Sequence, residues 1–151
     1  MNTVQQAAAS VISQVLSGRN LNQVLSGVMS SLPELTQQQR GALQDLSYGT
    51  LRFYGQLSRV LDALLNKPIQ DSQIRYLLLV ALYQLQYSKA AQYAVVDFAV
   101  NTVRKRNPAA SGLVNAILRN FLRNKNILLA DAARTEGATT SSRNHFHLCH
   151  S

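Results

Sequence analysis

Apolar residues recur along nearly the whole chain at the three- and four-residue spacing of a helix face. Val4, Ala8, Val11, Ile12, Val15 and Leu16 predict a first helix over about residues 3–17, stopped by Gly18. Leu21, Val24, Leu25, Val28, Met29 and Leu32 predict a second, closed by Pro33. Thr36 followed by Gln39 fits a capping box, in which each side chain satisfies an orphan backbone N–H. It opens a long third helix with the stripe Leu43, Leu46, Leu51, Tyr54, Leu57, Leu61, Leu64 and Leu65, ended by Lys67-Pro68. Gly49 and Gly55 lie inside it, and each costs about 1 kcal/mol relative to Ala in a helix interior. Because the stripe continues past both, they read as points where another helix comes close rather than as a bend.

Asp71 or Ser72 can cap a fourth helix reaching about Tyr87, with Ile74, Leu77, Leu78, Ala81, Leu82 and Leu85. From Leu77 to Leu82 it has no polar residue, and a helix apolar nearly all round is a central one. A fifth helix, about residues 93–106, turns Ala94, Val95, Phe98, Ala99, Thr102 and Val103 inward and is broken by Asn107-Pro108. A sixth, about residues 110–126, turns Leu113, Val114, Ile117, Leu118, Phe121 and Leu122 inward. No stretch alternates with period two and none repeats. The pattern predicts an all-α multi-helix bundle forming one domain over residues 1–130. The remainder, 131–151, is polar, small and aperiodic from Arg134 on. It has too little apolar surface to offset the entropy of ordering, and reads as a disordered tail or linker stub.

Charge narrows the class of partner. Only 15% of the 151 residues are charged, against about 25% in an average soluble domain. Fifteen Lys and Arg oppose seven Asp and Glu, leaving a net charge of +8. Such a surface suits nucleic acid, or failing that an anionic membrane surface, and the charge is clustered rather than spread. No apolar run reaches the ~18 residues that span a bilayer, and the first residues lack the basic start and apolar run of a secretion signal. The single cysteine, Cys149, excludes an intramolecular disulfide. A cytoplasmic protein is expected.

Enzymatic chemistry finds little support. Asp45, Asp62, Asp71, Asp97 and Asp131 fall on different helices or caps, and no histidine precedes His145. No glycine-rich nucleotide loop and no nucleophile elbow occurs. His145, His147, Cys149 and His150 contain the atoms for a soft metal, but their spacing matches no standard zinc motif. No catalytic residue, metal site or cofactor is expected in this chain.

The positive signal lies between Phe98 and Lys125, which holds Arg104, Lys105, Arg106, Arg119, Arg123 and Lys125 and no acid. Arg104, Lys105 and Arg106 end the fifth helix, where cations also favour the helix dipole. Arg119 and Arg123 share one face of the sixth. The short Asn107-Pro108 turn brings the two clusters near one another, and arginine grips phosphate bidentately. These six residues are the candidate RNA contacts. Arg119 has a competing role as ion-pair partner of Asp45, Asp62 or Asp97. Tyr93, in a polar context, can stack on an unpaired base; Phe98 and Phe121 read as core. Asn115, inside a helix, reads as bonding a neighbouring segment's backbone.

Three segments together resemble the NusB-like domain: 77–85 (LLLVALYQL), 93–97 (YAVVD) and 112–119 (GLVNAILR). That family is an all-helical RNA-binding fold, free-standing in the transcription antitermination factor NusB. It also occurs as the N-terminal domain of the RsmB (Sun/Fmu) 16S rRNA cytosine-5 methyltransferases. The segment 46–55 (LSYGTLRFYG) and the ending of NAILR at 115–119 are most like the RsmB branch. The resemblance covers about residues 3–127. It implies an RNA-binding module that positions small-subunit rRNA. It also implies a methyltransferase domain in cis on the C-terminal side, with S-adenosylmethionine bound only there. The alternative it leaves open is an antitermination or protein-interaction module, with a homodimer possible. The chain departs from the family at its N-terminus, where residues 1–18 carry no basic side chain, and at Gln92 and Phe98.

Overall fold

The computed structural model describes the backbone of residues 2–150 and the side chains of residues 3–134. Its helices are α1 (Asn2–Leu16), α2 (Leu21–Ser30), α3 (Gln37–Arg52), α4 (Tyr54–Leu64), α5 (Ser72–Tyr87), α6 (Gln92–Arg106) and α7 (Ser111–His150), with one 3-10 turn at Pro108–Ala110. No strand occurs among the described residues.

α5 is the axis of the bundle, as its all-round apolar character requires. Every residue from Leu77 to Leu85 is buried, and α1, α3, α4, α6 and α7 all pack against it. Leu78, Leu79 and Leu82 are completely enclosed, each worth about 1.5–3 kcal/mol of transfer from water. One polar pair crosses this core. Gln5 on α1 donates from Nε2 to Gln84 Oε1 on α5 at 2.7 Å and to the Val95 carbonyl on α6 at 3.2 Å. A buried amide needs such partners, so the pair fixes the register of three helices where leucines would tolerate sliding.

The helix ends follow local chemistry. Gly18 adopts φ +109°, a conformation closed to most side chains. It lets the Gly18 N–H reach the Val15 carbonyl and that of Arg19 reach Gln14. The capping box is present: Gln39 N–H donates to Thr36 Oγ1 at 3.1 Å and Thr36 N–H to Gln39 Oε1 at 2.9 Å. Asp71 caps α5, accepting from the Gln73 N–H at 3.0 Å.

Three expectations need correction. The long helix expected from Thr36 to Leu65 is two helices, broken at Phe53 (φ −102°, ψ 20°). Its ring lies on Tyr87 with centroids 4.2 Å apart and planes 10° from parallel, and the Arg52 guanidinium is 5.4 Å from its centroid. These contacts offset the interrupted helical hydrogen bonding. Gly49 does allow a close approach: a Cβ there would run into the Tyr83 ring. The Tyr83 hydroxyl donates to Asp45 Oδ1 at 3.1 Å; burial, and then Asp45, push its pKa up to about 12. Second, Leu113 and Phe98 are not core residues. Leu113 is 48% exposed, Phe98 is half-buried, and Val96 takes the inward place on α6. Third, α7 does not end near Asn126. Leu128 and Leu129 pack on the core and Ala132 is buried. The greater part of the expected tail, with its His/Cys cluster, lies outside the described side chains.

Candidate nucleic-acid interface

α6 and α7 are joined by the 3-10 turn alone, so they run antiparallel and pack along their length. Each presents one polar stripe to the seam. On α6 it is Tyr93, Asp97, Asn101 and Arg104, spaced by four, four and three. On α7 it is Ser111, Asn115 and Arg119, spaced by four and four. Helical geometry puts such residues on one face. Between the stripes lies a cleft of about 280 Å³ lined by Tyr93, Asp97 and Arg104 from α6 and by the α7 stripe, with Val96 and Val100 as apolar floor and Gly112 at the α7 end; Asn101 stands outside the lining. α7 starts there with no acid in its first turn, so the positive end of its dipole is uncompensated.

The cleft brings together Arg104 and Arg119, which the sequence could only place on neighbouring helices. Both are exposed. Arg104 Nη1 donates to Asn101 Oδ1 at 2.8 Å, and Arg119 Nε donates to Asn115 Oδ1 at 3.0 Å. Arg123, exposed one turn beyond Arg119, repeats the device, donating from Nη2 to Asn120 Oδ1 at 3.1 Å. A neutral amide oxygen orients a guanidinium without cancelling its charge, which a carboxylate would do. Among the described residues Arg119 forms no ion pair with an aspartate. Asp62 is taken by Arg75 at 3.0 Å, Asp45 accepts from Tyr83, and Asp97 Oδ2 accepts from Asn101 Nδ2 at 3.3 Å. Asn115 corrects its own reading: it serves Arg119, not the backbone of a neighbouring segment.

Arg106 has a different fate. Its Nε and Nη2 donate to Asp71 Oδ2 and Oδ1 at 2.6 and 3.1 Å. That fork ties the end of α6 to the start of α5. The Arg106 hydrogen bond holds the Asp71 carboxyl below the usual carboxylate range, helped by the Gln73 N–H; the same bond raises the pKa of Arg106. Lys105 is exposed and Lys125 half-buried, and neither lines the cleft. Tyr93 does, with 79% of its surface exposed. Sequence reasoning missed Asn101, Asn115 and Asn120 as guanidinium holders. The signal was present as Asn three or four residues before Arg, three times within residues 101–123. It missed Asp97 as a wall of the cleft, because an acid was read against the cationic patch rather than as part of it.

Among the described residues no group of His, Cys, Asp and Glu could hold a metal ion, and no helix is long and apolar enough to cross a membrane.

The all-helical bundle agrees with the fold that the sequence resemblance implies. The chain belongs to the NusB family, which residues 2–123 match. It is 40% identical over 129 residues to the ribosomal RNA small subunit methyltransferase B of Pseudomonas syringae pv. tomato, covering 83% of this chain and 28% of that protein. The same-named proteins of Sodalis glossinidius and Serratia proteamaculans are 37% and 36% identical over 133 and 137 residues. There the match covers 85% and 88% of this chain, and 30% and 31% of the relatives. The chain thus spans just under a third of the length of these relatives, and what it matches in them is a NusB-family domain, not a catalytic one.

Proposed function

We propose that this chain is the RNA-binding module of an rRNA methyltransferase and that it holds small-subunit ribosomal RNA against the α6–α7 seam. The carrying observation is the pair Arg104 and Arg119, brought to one cleft from two helices, exposed, and held by amide oxygens that leave their charge uncancelled. Arg123, Lys105 and Lys125 extend the positive field beside it. Arg106 contributes less, being bound to Asp71. The names of the relatives support ribosomal RNA as the ligand. Methyl transfer and S-adenosylmethionine belong in this reading to a further domain of a longer protein.

The mechanism is electrostatic. Each phosphate neutralised releases condensed counterions, so affinity falls steeply with salt. The logarithmic slope grows by about 0.7 for every phosphate neutralised on a single strand. The double variant Arg104→Ala/Arg119→Ala is expected to weaken binding of a small-subunit rRNA fragment by about a hundredfold or more, on the order of 1.5–3 kcal/mol for each charged hydrogen bond removed. Its slope should fall by about 1.4, the share of two phosphates. Wild-type affinity and slope in that variant would refute the assignment.

A second reading rests on another surface. α2 packs mainly on α1, and between them runs an open groove of about 490 Å³ lined by Ala7, Val24, Gly27 and Val28 and also by Gln6, Gln14, Arg19 and Gln23. An open groove with an apolar floor and polar walls suits the protein-interaction role of an antitermination factor. Light scattering on the purified chain checks its simplest form: a stable dimer indifferent to RNA favours it, a monomer that binds RNA does not.

A further inference from the structure

Asp97 is the anomaly of the seam. A carboxylate within a phosphate-binding cleft repels the ligand, yet Asp97 lines it together with Arg104 and Arg119. It has not been neutralised by either arginine. Asn101 stands between, donating to Asp97 Oδ2 at 3.3 Å and accepting from Arg104 at 2.8 Å. The amide keeps acid and base apart while fixing both, and no hydrogen bond to Asp97 Oδ1 occurs among the described residues. One turn before Asp97, on the same face of α6, stands the exposed ring of Tyr93.

We propose, resting on the RNA-binding reading above, that the seam holds one unpaired guanine: its base stacks on Tyr93, its Watson–Crick edge is read by Asp97, and its flanking phosphates are held by Arg104 and Arg119. The chemistry selects the base. A carboxylate offers only acceptors. Guanine alone presents two adjacent donors, N1–H and the N2 amine, to two carboxylate oxygens. Cytosine and adenine offer an amine beside an acceptor, which a carboxylate repels, and uracil offers a single N–H. Single-stranded RNA is commonly read by this combination of aromatic stacking and edge hydrogen bonds. A cleft of about 280 Å³ suits one nucleotide rather than a duplex.

The test uses fluorescein-labelled pentaribonucleotides with uracil at every position except the centre, which carries guanine, inosine, adenine, cytosine or uracil. Inosine differs from guanine only by the missing N2 amine. The guanine oligonucleotide is expected to bind about tenfold tighter than the inosine one, within the range a bidentate base contact supplies. Asp97→Asn should abolish that preference while strengthening the salt-dependent, base-indifferent binding, because an acid has been removed. Tyr93→Ala should weaken all five. Equal affinity for guanine and inosine, still reduced by Arg104→Ala, would overturn the base reading and leave the phosphate reading standing. Guanine preference surviving in Asp97→Asn would likewise overturn it. Failure of every oligonucleotide to bind, together with rRNA binding unaffected by Arg104→Ala/Arg119→Ala, would overturn both.

Discussion

Arg104 and Arg106 stand two residues apart at the end of α6 and meet opposite partners. At the α5–α6 corner, Arg106 meets Asp71 in a two-pronged ion pair. In the α6–α7 seam, Arg104 meets the neutral amide of Asn101, as Arg119 meets Asn115 and Arg123 meets Asn120. The first arrangement cancels charge and ties two helices together. The second fixes a side chain and leaves its charge for a ligand. Net charge alone, +8 over the chain, does not distinguish the two; the residue facing each guanidinium does.

Removing the corner carboxylate sharpens this contrast most. Asp71→Ala loses the N-cap bond of α5 and the partner of Arg106 together, and should lower unfolding stability by about 1–2 kcal/mol, measured by urea denaturation. Binding of an rRNA fragment should not weaken, because the change frees the charge of Arg106. Asp71→Asn, which keeps an acceptor for the Gln73 N–H, should recover the greater part of the loss. The converse change in the seam is Asn115→Asp, which turns a neutral holder into an ion-pair partner for Arg119. Affinity for the rRNA fragment should drop by about three- to tenfold through weakened phosphate attraction, with stability moving by less than about 0.5 kcal/mol. The smallest effect is set by pH. Asp71 has a lowered pKa in the folded chain, so its contribution is complete above the ordinary value of 3.8 and is lost as pH falls through the lower, folded one. Denaturation midpoints followed from pH 5 to pH 2 should decline less steeply below pH 4 in Asp71→Asn than in the wild type.

Much of the fold was legible because its signals are local. The Thr36–Gln39 box, the Asp71 cap, the glycine stop at residue 18 and the all-apolar α5 each act within one or two turns. The break at Phe53 was misread: Gly49 and Gly55 flank it but were taken for points of close approach, because the apolar stripe runs on past both and the stacking of Phe53 on Tyr87 joins residues 34 positions apart. The burial of Gln5 was hidden for the same reason: its partners are 79 and 90 residues distant. α7 runs beyond its expected end because Leu128, Leu129 and Ala132 continue its apolar face past a cluster of Asn and Lys that resembles a terminus. In the site, the identity of the cationic residues was readable and their separation into two kinds was not. Asp71 lies 35 positions from Arg106, while the asparagines that hold the other arginines sit within four residues and were open to inspection.

Whether a guanidinium is spent on the fold or left for RNA depends on that separation, and single variants at the two neighbouring positions test it directly. The measurement is the salt dependence of rRNA-fragment binding for wild type, Arg104→Ala and Arg106→Ala. The prediction is a slope reduced by about 0.7 in Arg104→Ala, where one phosphate is no longer neutralised, and a slope equal to wild type in Arg106→Ala. Equal reductions in both variants, or a reduction in Arg106→Ala alone, would contradict it.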